Sequence, residues 1–485
     1  MNNMSYGIAI DIGTTTICAA LVRSYDGGVL REVSRLNSGR MFGADVISRI
    51  KAASDGSLLM LQDCMRSDLT AVLAAIVTPE VASGIDRIVI AGNTTMLHIL
   101  RGYSCVGLGR YPYTAVTLEP EVLALREVLP RVTFLGDGVE VVLFPGFTAF
   151  VGADIVAGVY YLTGENSVTQ GESWGTGTLT HFSTPDKLLS VATEKRVSVP
   201  VPADSPLVHF LLLDLGTNGE MALVERGSAG ARRITVCSTA AGPVFEGGGI
   251  RCGMGGVDGA IAHVRIGDNW GRFCLSPCST GDNTEPSPLS PAAVPLTHSL
   301  DVIGGGKPLG LCGTGVMETV AELRRTGIID ETGLMQDPYF EEGFPLVAAE
   351  KSGTGAPILF TQDDVRAVQM AKAAIRAGIE TLLNVAGMSP EDIGTVYVAG
   401  GYGQHMDFDA IRALDMIPDA LLAKSRAAGN TSLAGCIRLL EALALADDGA
   451  GILAELRALS LDKKEVVLAD EDGFETRYYE SMGLL

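Results

Sequence analysis

One short pattern occurs twice in this chain. The string YGIAIDIGTTTICAALV, at residues 6–22, is repeated as HFLLLDLGTNGEMALVE at residues 209–225, with Asp11 and Asp214 at the same place in the two copies. Each copy is an apolar run, an Asp-x-Gly-Thr segment and a second apolar run, which predicts two buried strands joined by a tight turn. A chain that contains this hairpin twice is predicted to have two related halves.

The residues of the two turns are typical of a phosphate site. Glycine at positions 13 and 216 permits backbone angles and a close approach that a Cβ would block. Successive backbone N–H groups and threonine hydroxyls can then surround an oxyanion. The two aspartates would repel a phosphate unless a hydrated Mg²⁺ lies between, so we expect both to anchor Mg²⁺. The predicted ligand is a nucleotide held between facing hairpins, and the predicted binding residues are Asp11, Gly13, Thr14, Thr15, Thr16, Asp214, Gly216, Thr217, Asn218 and Gly219.

A third glycine-rich segment follows a long amphipathic helix and a strand. The helix is predicted near residues 365–387, and the strand leads into the string AGGYG. Glycines after a buried strand let a flat group lie against the backbone. We therefore expect Gly400, Gly401 and Gly403 to contact adenine.

Two further carboxylates are candidates for the chemistry of such a site. Asp154 stands at the start of a predicted helix in FVGADIVAGV. It could orient or deprotonate an attacking water or a substrate hydroxyl, and an ordinary helix N-cap is the structural alternative. Glu220 lies beside the second phosphate turn. We expect Asp154 and Glu220 to position the hydrolytic water.

The rest of the chain alternates between strands and helices. Residues 4–36 predict three strands, residues 43–77 a long helical region, and residues 241–256 a glycine-rich entry to a helix. This pattern is typical of mixed α/β layers. We predict two related domains, 1–205 with the first phosphate hairpin and 206–485 with the second hairpin, the adenine motif, and a C-terminal helix and tail.

Composition and charge exclude several functions. The net charge is −21 and there is no run of Lys or Arg, so a nucleic-acid partner is not expected. The chain has no apolar stretch long enough to span a membrane and no basic segment before its first apolar run, which predicts a cytoplasmic protein. Nine scattered cysteines without a C-x-x-C do not suggest a metal or disulfide site, and Cys274 and Cys278 are expected to be ordinary loop residues.

With D-x-G-T-T-T, D-x-G-T-N-G-E and V-A-G-G-x-G in that order, the chain resembles the actin-like ATPase superfamily of sugar kinases, heat-shock chaperones and actin. The strings FGADVISRI, GNTTMLHIL, AGPVFEGGGIRCGM and DVRAVQMAKAAIRAGI look like the ATP-dependent reductive activators of corrinoid proteins. This resemblance implies two actin-like domains, each a mixed sheet flanked by helices, with a nucleotide cleft between them. It also implies an ATPase that drives the reduction of Co(II) to Co(I) in a corrinoid protein partner.

Members of that family typically carry an iron–sulfur module, often at the N-terminus. The plant-type cysteine spacing is absent from this sequence. We therefore expect no iron–sulfur cluster in this chain and an electron donor on a separate protein, such as a ferredoxin-like protein. Three alternatives stay open: a small-molecule kinase with Asp154 as base, a non-redox module switched by ATP, and a filament-forming or homodimeric actin-like protein.

Overall fold

The computed structural model describes residues 5–164, 179–184, 187–192, 209–226, 232–267, 298–400, 406–446 and 449–485. The chain divides into two compact units. The first contains Met1–Thr239, Gly378–Gln404 and Ala423–Asp472, and the second contains Ala240–Ala377, His405–Leu422 and Gly473–Leu485. The predicted domain boundary at residues 205 and 206 falls outside the described residues.

Strands and helices are interspersed along the described chain. The strands are β1 Tyr6–Ile12, β2 Thr16–Arg23, β3 Val29–Leu36, β4 Ile85–Gly92, β5 Glu121–Ala124, β6 Glu140–Leu143, β7 Leu179–Thr184, β8 Lys187–Ala192, β9 His209–Leu215, β10 Gly219–Arg226, β11 Arg232–Thr239, β12 Ala260–Ile266, β13 His298–Val302, β14 Gly310–Leu311, β15 Phe344–Val347, β16 Ile358–Phe360, β17 Ile393–Ala399, β18 Ser425–Gly429 and β19 Lys463–Glu465. The α-helices are Val46–Ala52, Leu58–Ile76, Pro79–Ala82, Thr94–Arg101, Leu125–Val128, Ala153–Thr163, Gly313–Arg325, Tyr339–Glu342, Gln362–Ala386, Phe408–Ala413, Asp419–Leu422, Thr431–Leu445, Gly449–Leu461 and Phe474–Glu480.

The first unit contains an eight-stranded sheet in the order β5-β6-β4-β1-β2-β3-β8-β7. Strands β1, β2 and β3 are antiparallel neighbours, as predicted for residues 4–36, while β4 lies parallel to β1 and β6 parallel to β4. The centre of β1 is apolar on both faces because both are covered, and Ile8, Ala9 and Ile10 have no exposed surface. The first hairpin is therefore built on a fully buried strand of this sheet.

The same unit contains a six-stranded sheet in the order β18-β17-β9-β10-β11-β19. Strands β9, β10 and β11 are antiparallel, β17 lies parallel to β9, and β18 lies parallel to β17. This arrangement repeats that of β1, β2, β3, β4 and β6 strand for strand. The repeat in the sequence thus corresponds to a repeat in topology, and the prediction of two related mixed sheets is confirmed.

Two helices, Ala153–Thr163 and Thr431–Leu445, share one hydrophobic core with both sheets. The two helices approach each other closely at two glycines. A Cβ on Gly158 would lie 2.8 Å from the Thr431 hydroxyl, and a Cβ on Gly435 would lie 2.2 Å from the carbonyl oxygen of Ala157. A larger residue at Gly158 must displace side chains, whereas a larger residue at Gly435 meets the backbone of the facing helix and must push the two helices apart.

Gly435→Ala is expected to lower the free energy of unfolding by about 2 kcal/mol, because overpacking a tight contact costs roughly 1–3 kcal/mol. Gly451→Ala, in the Gly449–Leu461 helix, is the matched control, since a Cβ there meets no atom within 4 Å. Alanine in a helix interior is favoured over glycine by about 0.5–1 kcal/mol, so the control should be neutral or stabilising. Urea unfolding measures both, and a Gly435→Ala protein as stable as wild type would contradict the packing described.

The second unit contains a three-stranded sheet, β13-β12-β14, and a β15–β16 hairpin. The Gly313–Arg325 helix covers the edge of β12 with two buried glutamates. Glu318 accepts a hydrogen bond from the Val264 N–H at 2.9 Å, and Glu322 accepts one from the Ile266 N–H at 2.8 Å. These carboxylates take the place of a neighbouring strand beyond the short β14.

One sequence prediction is wrong in this unit. Residues 241–256 do not lead into a helix: a single 3₁₀ turn, Pro243–Glu246, is followed by turns and then by β12. Turns fill most of this segment, and only residues 252–254 lie against β14, where the Met254 N–H donates to Leu311 O at 2.8 Å and the Leu311 N–H donates to Cys252 O at 2.9 Å. By contrast, the long helix predicted near 365–387 is present as Gln362–Ala386.

No helix in the described part of the chain is both long and apolar enough to cross a membrane.

Candidate functional site

The first Asp-x-Gly-Thr turn, which the sequence predicts to bind phosphate and which we call the first phosphate turn, follows Asp11 near the end of β1. The Gly13 N–H donates to Thr16 O at 2.9 Å, and a Cβ on Gly13 would lie only 2.7 Å from that oxygen. Close approach is thus the reason for glycine here. The left-handed backbone angle allowed for in the sequence analysis is not used, since Gly13 and Gly216 are not among the residues with positive φ.

Two asparagines that the sequence analysis did not single out hold this turn. Asn37 donates through its side chain to Gly13 O at 2.9 Å, and its N–H donates to Thr15 O at 2.8 Å. Asn93 donates to the Thr14 hydroxyl at 2.9 Å. Each asparagine also caps a helix that starts directly after it, so an asparagine in front of a Ser or Thr at a helix start was the available signal.

The second turn is one residue tighter than the first, since its glycine bonds to the second residue further along the chain and not to the third. The Gly216 N–H donates to Asn218 O at 3.1 Å, and Asp214 on β9 lies directly opposite Glu220 on β10. Asn218 donates to the Glu220 carboxylate at 3.3 Å. A buried Thr217 stands at the tip of the turn, next to these groups.

The third glycine motif begins beside this second turn. Ala399, the last residue of β17, lies opposite Asp214 of β9. Gly400 takes a φ of +91°, and a Cβ there would lie 2.6 Å from both the Asp214 carboxylate and Leu215 O. Glycine is therefore required at position 400 both by the positive φ and by the lack of room for a Cβ. Gly400 places the third motif against the second turn. Gly401 and Gly403 lie outside the described residues, as do Cys274 and Cys278.

The Asp11 carboxylate is held on both oxygens by the start of the Thr431–Leu445 helix. Asn430 donates to one oxygen and Ser432 to the other, each at 2.8 Å. Burial raises the pKa of Asp11, and the two hydrogen bonds oppose that rise by stabilising the charged form. The carboxylate is fixed in orientation before any ligand arrives.

Ser432→Ala is expected to weaken Mg-ATP binding about three- to tenfold. A hydrogen bond to a charged group contributes roughly 1.5–3 kcal/mol, and a water molecule in place of the serine hydroxyl would recover part of that energy. The matched control is Ser460→Ala, another buried serine, whose hydroxyl donates to Arg457 O at 2.9 Å. Calorimetric titration with Mg-ATP and thermal unfolding are measured on both. Equal binding by the two variants would show that Ser432 does not orient Asp11 for a ligand.

Asp154 lies in the first turn of the Ala153–Thr163 helix but is not its N-cap, which is Gly152. Its carboxylate accepts the Ile155 N–H at 2.9 Å. Burial raises the pKa of Asp154 to about 7, and the negative charge of Asp11 adds to the rise. Asp154 is therefore not an ordinary helix N-cap. Its carboxylate lies close enough to Asp11 for the two charges to interact.

Glu220 completes a group of four carboxylates. Its side chain is buried, and burial raises its pKa well above the usual range, with further contributions from the charges of Asp154 and Asp214. Asp11, Asp154, Glu220 and Asp214 thus form a continuous acidic cluster between the two turns. Opposed buried carboxylates of this kind are stabilised by a cation.

The donor set fits a hydrated Mg²⁺ with phosphates better than a directly chelated metal. Carboxylate oxygens are the ligands that Mg²⁺ takes, usually through one or two carboxylates with several waters retained. Among the described residues, no three His, Cys, Asp or Glu side chains are placed to chelate an ion together. Within the acidic cluster, Asp11 and Asp214 directly precede the two phosphate turns, so they are the residues that would hold such an ion through water.

His98 has a structural role, because both of its ring nitrogens are engaged by the backbone. Its Nδ1 lies 2.8 Å from Thr94 O, and its Nε2 accepts the Val116 N–H at 3.0 Å. Because Val116 donates, His98 is neutral with its proton on Nδ1, and burial lowers its pKa.

The structure contains two mixed sheets with the same topology, and each sheet includes a β-hairpin with an Asp-x-Gly-Thr turn. These features define the class of actin-like ATPase domains. Comparison with known families agrees. Residues 209–485 match the family described as the C-terminal domain of RACo, the ASKHA domain, and residues 6–165 match the RACo middle region. The chain belongs to the RACo family, and the resemblance stated from the sequence is confirmed.

Individual relatives agree with this family assignment. The chain is 28% identical over 445 residues to "Corrinoid activation enzyme RamQ" of Eubacterium limosum, covering 88% of this chain and 62% of that protein. It is 33% identical over 225 residues to "[Co(II) methylated amine-specific corrinoid protein] reductase" of Methanosarcina barkeri, covering 46% of this chain and 37% of the relative. A solved structure named "Reductive activator for corrinoid,iron-sulfur protein" is similar over 100% of this chain and 67% of its own, with a TM-score of 0.73 and 26% identity. The chain therefore spans less than two thirds of the length of the Eubacterium limosum and Methanosarcina barkeri relatives.

Proposed function

We propose that this protein is an ATPase that drives the reductive reactivation of a corrinoid protein, from Co(II) to Co(I). The observation that carries the proposal is the acidic cluster between two phosphate turns in a chain of the RACo family. The names of its relatives supply the corrinoid partner. The proposal includes a separate reductant such as a ferredoxin-like protein, a cytoplasmic location, and domains 1–205 and 206–485.

The residues of the site have distinct roles in this proposal. The backbone N–H groups and hydroxyls of the two turns bind the phosphates, Asp11 and Asp214 hold the waters of Mg²⁺, and the glycines from Gly400 onward contact adenine. When bound, Mg²⁺ neutralises phosphate charge. Asp154 and Glu220 orient the attacking water, and a carboxylate with a pKa of about 7 is suited to accept its proton.

The energetic logic is that of linked equilibria. One electron passes from the donor to Co(II), which becomes Co(I), and ATP reacts with water to give ADP and phosphate. ATP can favour this unfavourable reduction only if one nucleotide state prefers one state of the partner. A reversible shift from 1:99 to 99:1 needs about 5.5 kcal/mol of differential binding.

The test is optical. Purified chain, corrinoid protein and an external reductant are mixed, and the corrinoid spectrum is followed with and without ATP. Co(I) should form faster only when all components and ATP are present. A non-hydrolysable ATP analogue separates the effect of binding from that of hydrolysis.

A small-molecule kinase is the alternative, with the Asp154 carboxylate removing a proton from a substrate hydroxyl. Transfer of phosphate to a metabolite, without any ATP effect on a corrinoid partner, would favour the kinase and contradict the proposal.

A further inference from the structure

Four apolar side chains form an exposed surface near the candidate site. We call Tyr111, Tyr113, Val116 and Phe150 the aromatic surface; they are 85%, 43%, 58% and 38% exposed. Their rings contact one another, with centroids 6.0 Å apart for Tyr111 and Tyr113 and 5.0 Å apart for Tyr113 and Phe150. Adjacent exposed aromatic side chains are unusual on a monomer and mark interaction sites.

The loop is held in the conformation that exposes these rings. Tyr113 has a φ of 56°, in the left-handed region, where a bulky residue is strained by roughly 1–3 kcal/mol. The turn is closed by the Tyr113 N–H, which donates to Arg110 O at 2.7 Å, and by the Thr114 N–H, which donates to Gly107 O at 2.9 Å. Folding alone does not explain a strained turn that turns aromatic rings toward water.

Both sides of the aromatic surface are attached to one helix, Thr94–Arg101. His98 of this helix accepts the Val116 N–H at 3.0 Å. Thr94 donates to Thr148 O at 2.7 Å, and the Thr148 hydroxyl accepts the Phe150 N–H at 3.1 Å. The two loops that form the surface are therefore both tied to that helix by hydrogen bonds.

The same helix is joined to the first phosphate turn. Its N-cap, Asn93, donates to the Thr14 hydroxyl at 2.9 Å. On the other side of the surface, Phe150 precedes Asp154 by four residues. A ligand on the phosphate turn and a partner on the aromatic surface thus contact the same small group of elements.

The charge near the surface is unusual for this protein. Residues 101–116 contain Arg101 and Arg110 and no acidic residue, in a chain of net charge −21. Arg101 is paired with Glu121, and Glu119, three residues beyond Val116, is paired with Arg457. Arg110, next to Tyr111, forms no ion pair with any of the described residues. An apolar contact face with an acidic rim would pair with Arg110, whereas a two-fold symmetric contact with a second copy would bring the two Arg110 side chains together.

We propose that the aromatic surface is the docking site for the corrinoid-carrying partner, through an apolar contact face with an acidic rim. This inference rests on the proposed function, because the partner is the one named there. It adds where the partner binds and how its binding reaches the phosphate turn, through the Thr94–Arg101 helix.

The experiment uses the full chain and purified methylated-amine corrinoid proteins in the Co(II) state. Tyr111→Ser, Phe150→Ser and the double variant are compared with Leu445→Ser, which replaces an apolar side chain that is 71% exposed at the C-terminal end of the Thr431–Leu445 helix. The half-saturating concentration of partner should rise at least about tenfold in the double variant, as expected when central aromatic anchors are removed. ATP binding without partner should be unchanged, and Leu445→Ser should behave as wild type.

Arg110→Glu tests the charge. It should weaken partner binding, and the decrease of affinity with salt seen for wild type should become smaller. Size measurements over a range of protein concentration and sedimentation with phosphatidylglycerol vesicles are made on wild type and on the double variant. Self-association or vesicle binding that the double variant loses would overturn the inference in favour of a second copy or a membrane.

The outcomes separate this inference from the proposed function. Wild-type acceleration of Co(I) formation with unchanged partner affinity in the double variant overturns the docking site and leaves the function standing. A wild type that binds no corrinoid protein and shows no ATP effect defeats both. A raised half-saturating concentration of partner in the double variant, together with normal ATP binding, supports both the docking site and the proposed function.

Discussion

Asp11→Asn and Asp214→Asn are each expected to weaken Mg-dependent ATP binding by at least about tenfold, because each removes a charged anchor for the waters of Mg²⁺. The protein should still fold. Asparagine is nearly the same size, and it removes a charge from a buried acidic cluster in which like charges already oppose one another. Calorimetric titration with ATP, in the presence and absence of Mg²⁺, measures the effect.

The control for these variants is Asp55→Asn, at an exposed position in the Ala53–Ser57 segment. It changes the net charge of the chain by the same amount without touching the cluster. Unchanged ATP affinity and turnover in both the Asp11 and the Asp214 variant would rule out the proposed site.

Asp154→Asn and Glu220→Gln should bind ATP but hydrolyse it at least about 100-fold more slowly, because a positioned general base contributes roughly 10²–10⁴ to rate. The ATP-driven formation of Co(I) should be lost with hydrolysis. Single-turnover measurements with Mg-ATP separate binding from the chemical step. A variant that keeps full turnover would remove that residue from the mechanism.

The raised pKa of Asp154 also predicts a pH dependence of stability. A carboxyl group with a pKa near 7 in the folded protein and near 4 when unfolded holds its proton more tightly in the folded state. It therefore contributes stability at low pH, which is lost as the pH rises through about 7. Asp154→Asn should be more stable than wild type at pH 8, by about 1–2 kcal/mol after allowing for the coupled charges, and little different at pH 4.

The same ionisation sets the direction of the activity profile. Hydrolysis requires the charged carboxylate as base, so wild-type turnover should rise with pH through about 7. Urea unfolding at the two pH values and a pH–rate profile measure the two opposite trends. An Asp154→Asn protein less stable than wild type at pH 8 would contradict the assigned burial of charge.

The parts of the fold that the sequence predicted are those encoded over short distances. The hairpins around Asp11 and Asp214 follow from apolar runs and turn residues within about twenty positions, and their repetition indicated two related sheets. The Asp11 clamp could not be predicted in this way, since Asn430 lies 419 residues further along the chain. Only the packing of the Thr431–Leu445 helix brings them together.

The wrong helix assignment at residues 241–256 has a similar cause. Its glycines are compatible with a turn into either type of element, and the backbone at residues 252–254 depends on hydrogen bonds that Cys252 and Met254 make with Leu311, far apart in sequence. The roles of Asn37 and Asn93 had a local signal in their capping positions. Their second role, support of the phosphate turn, depends on tertiary contact.

The two glutamates on the edge of β12 have a consequence for solubility. A strand edge with free N–H groups is a template on which another chain can add a strand and begin an aggregate. Glu318 and Glu322 occupy the N–H groups of Val264 and Ile266, and a carboxylate has no N–H to continue a ladder of strand pairing. Variants that shorten these side chains should expose that edge, so unexpected precipitation of the protein would point first to this helix.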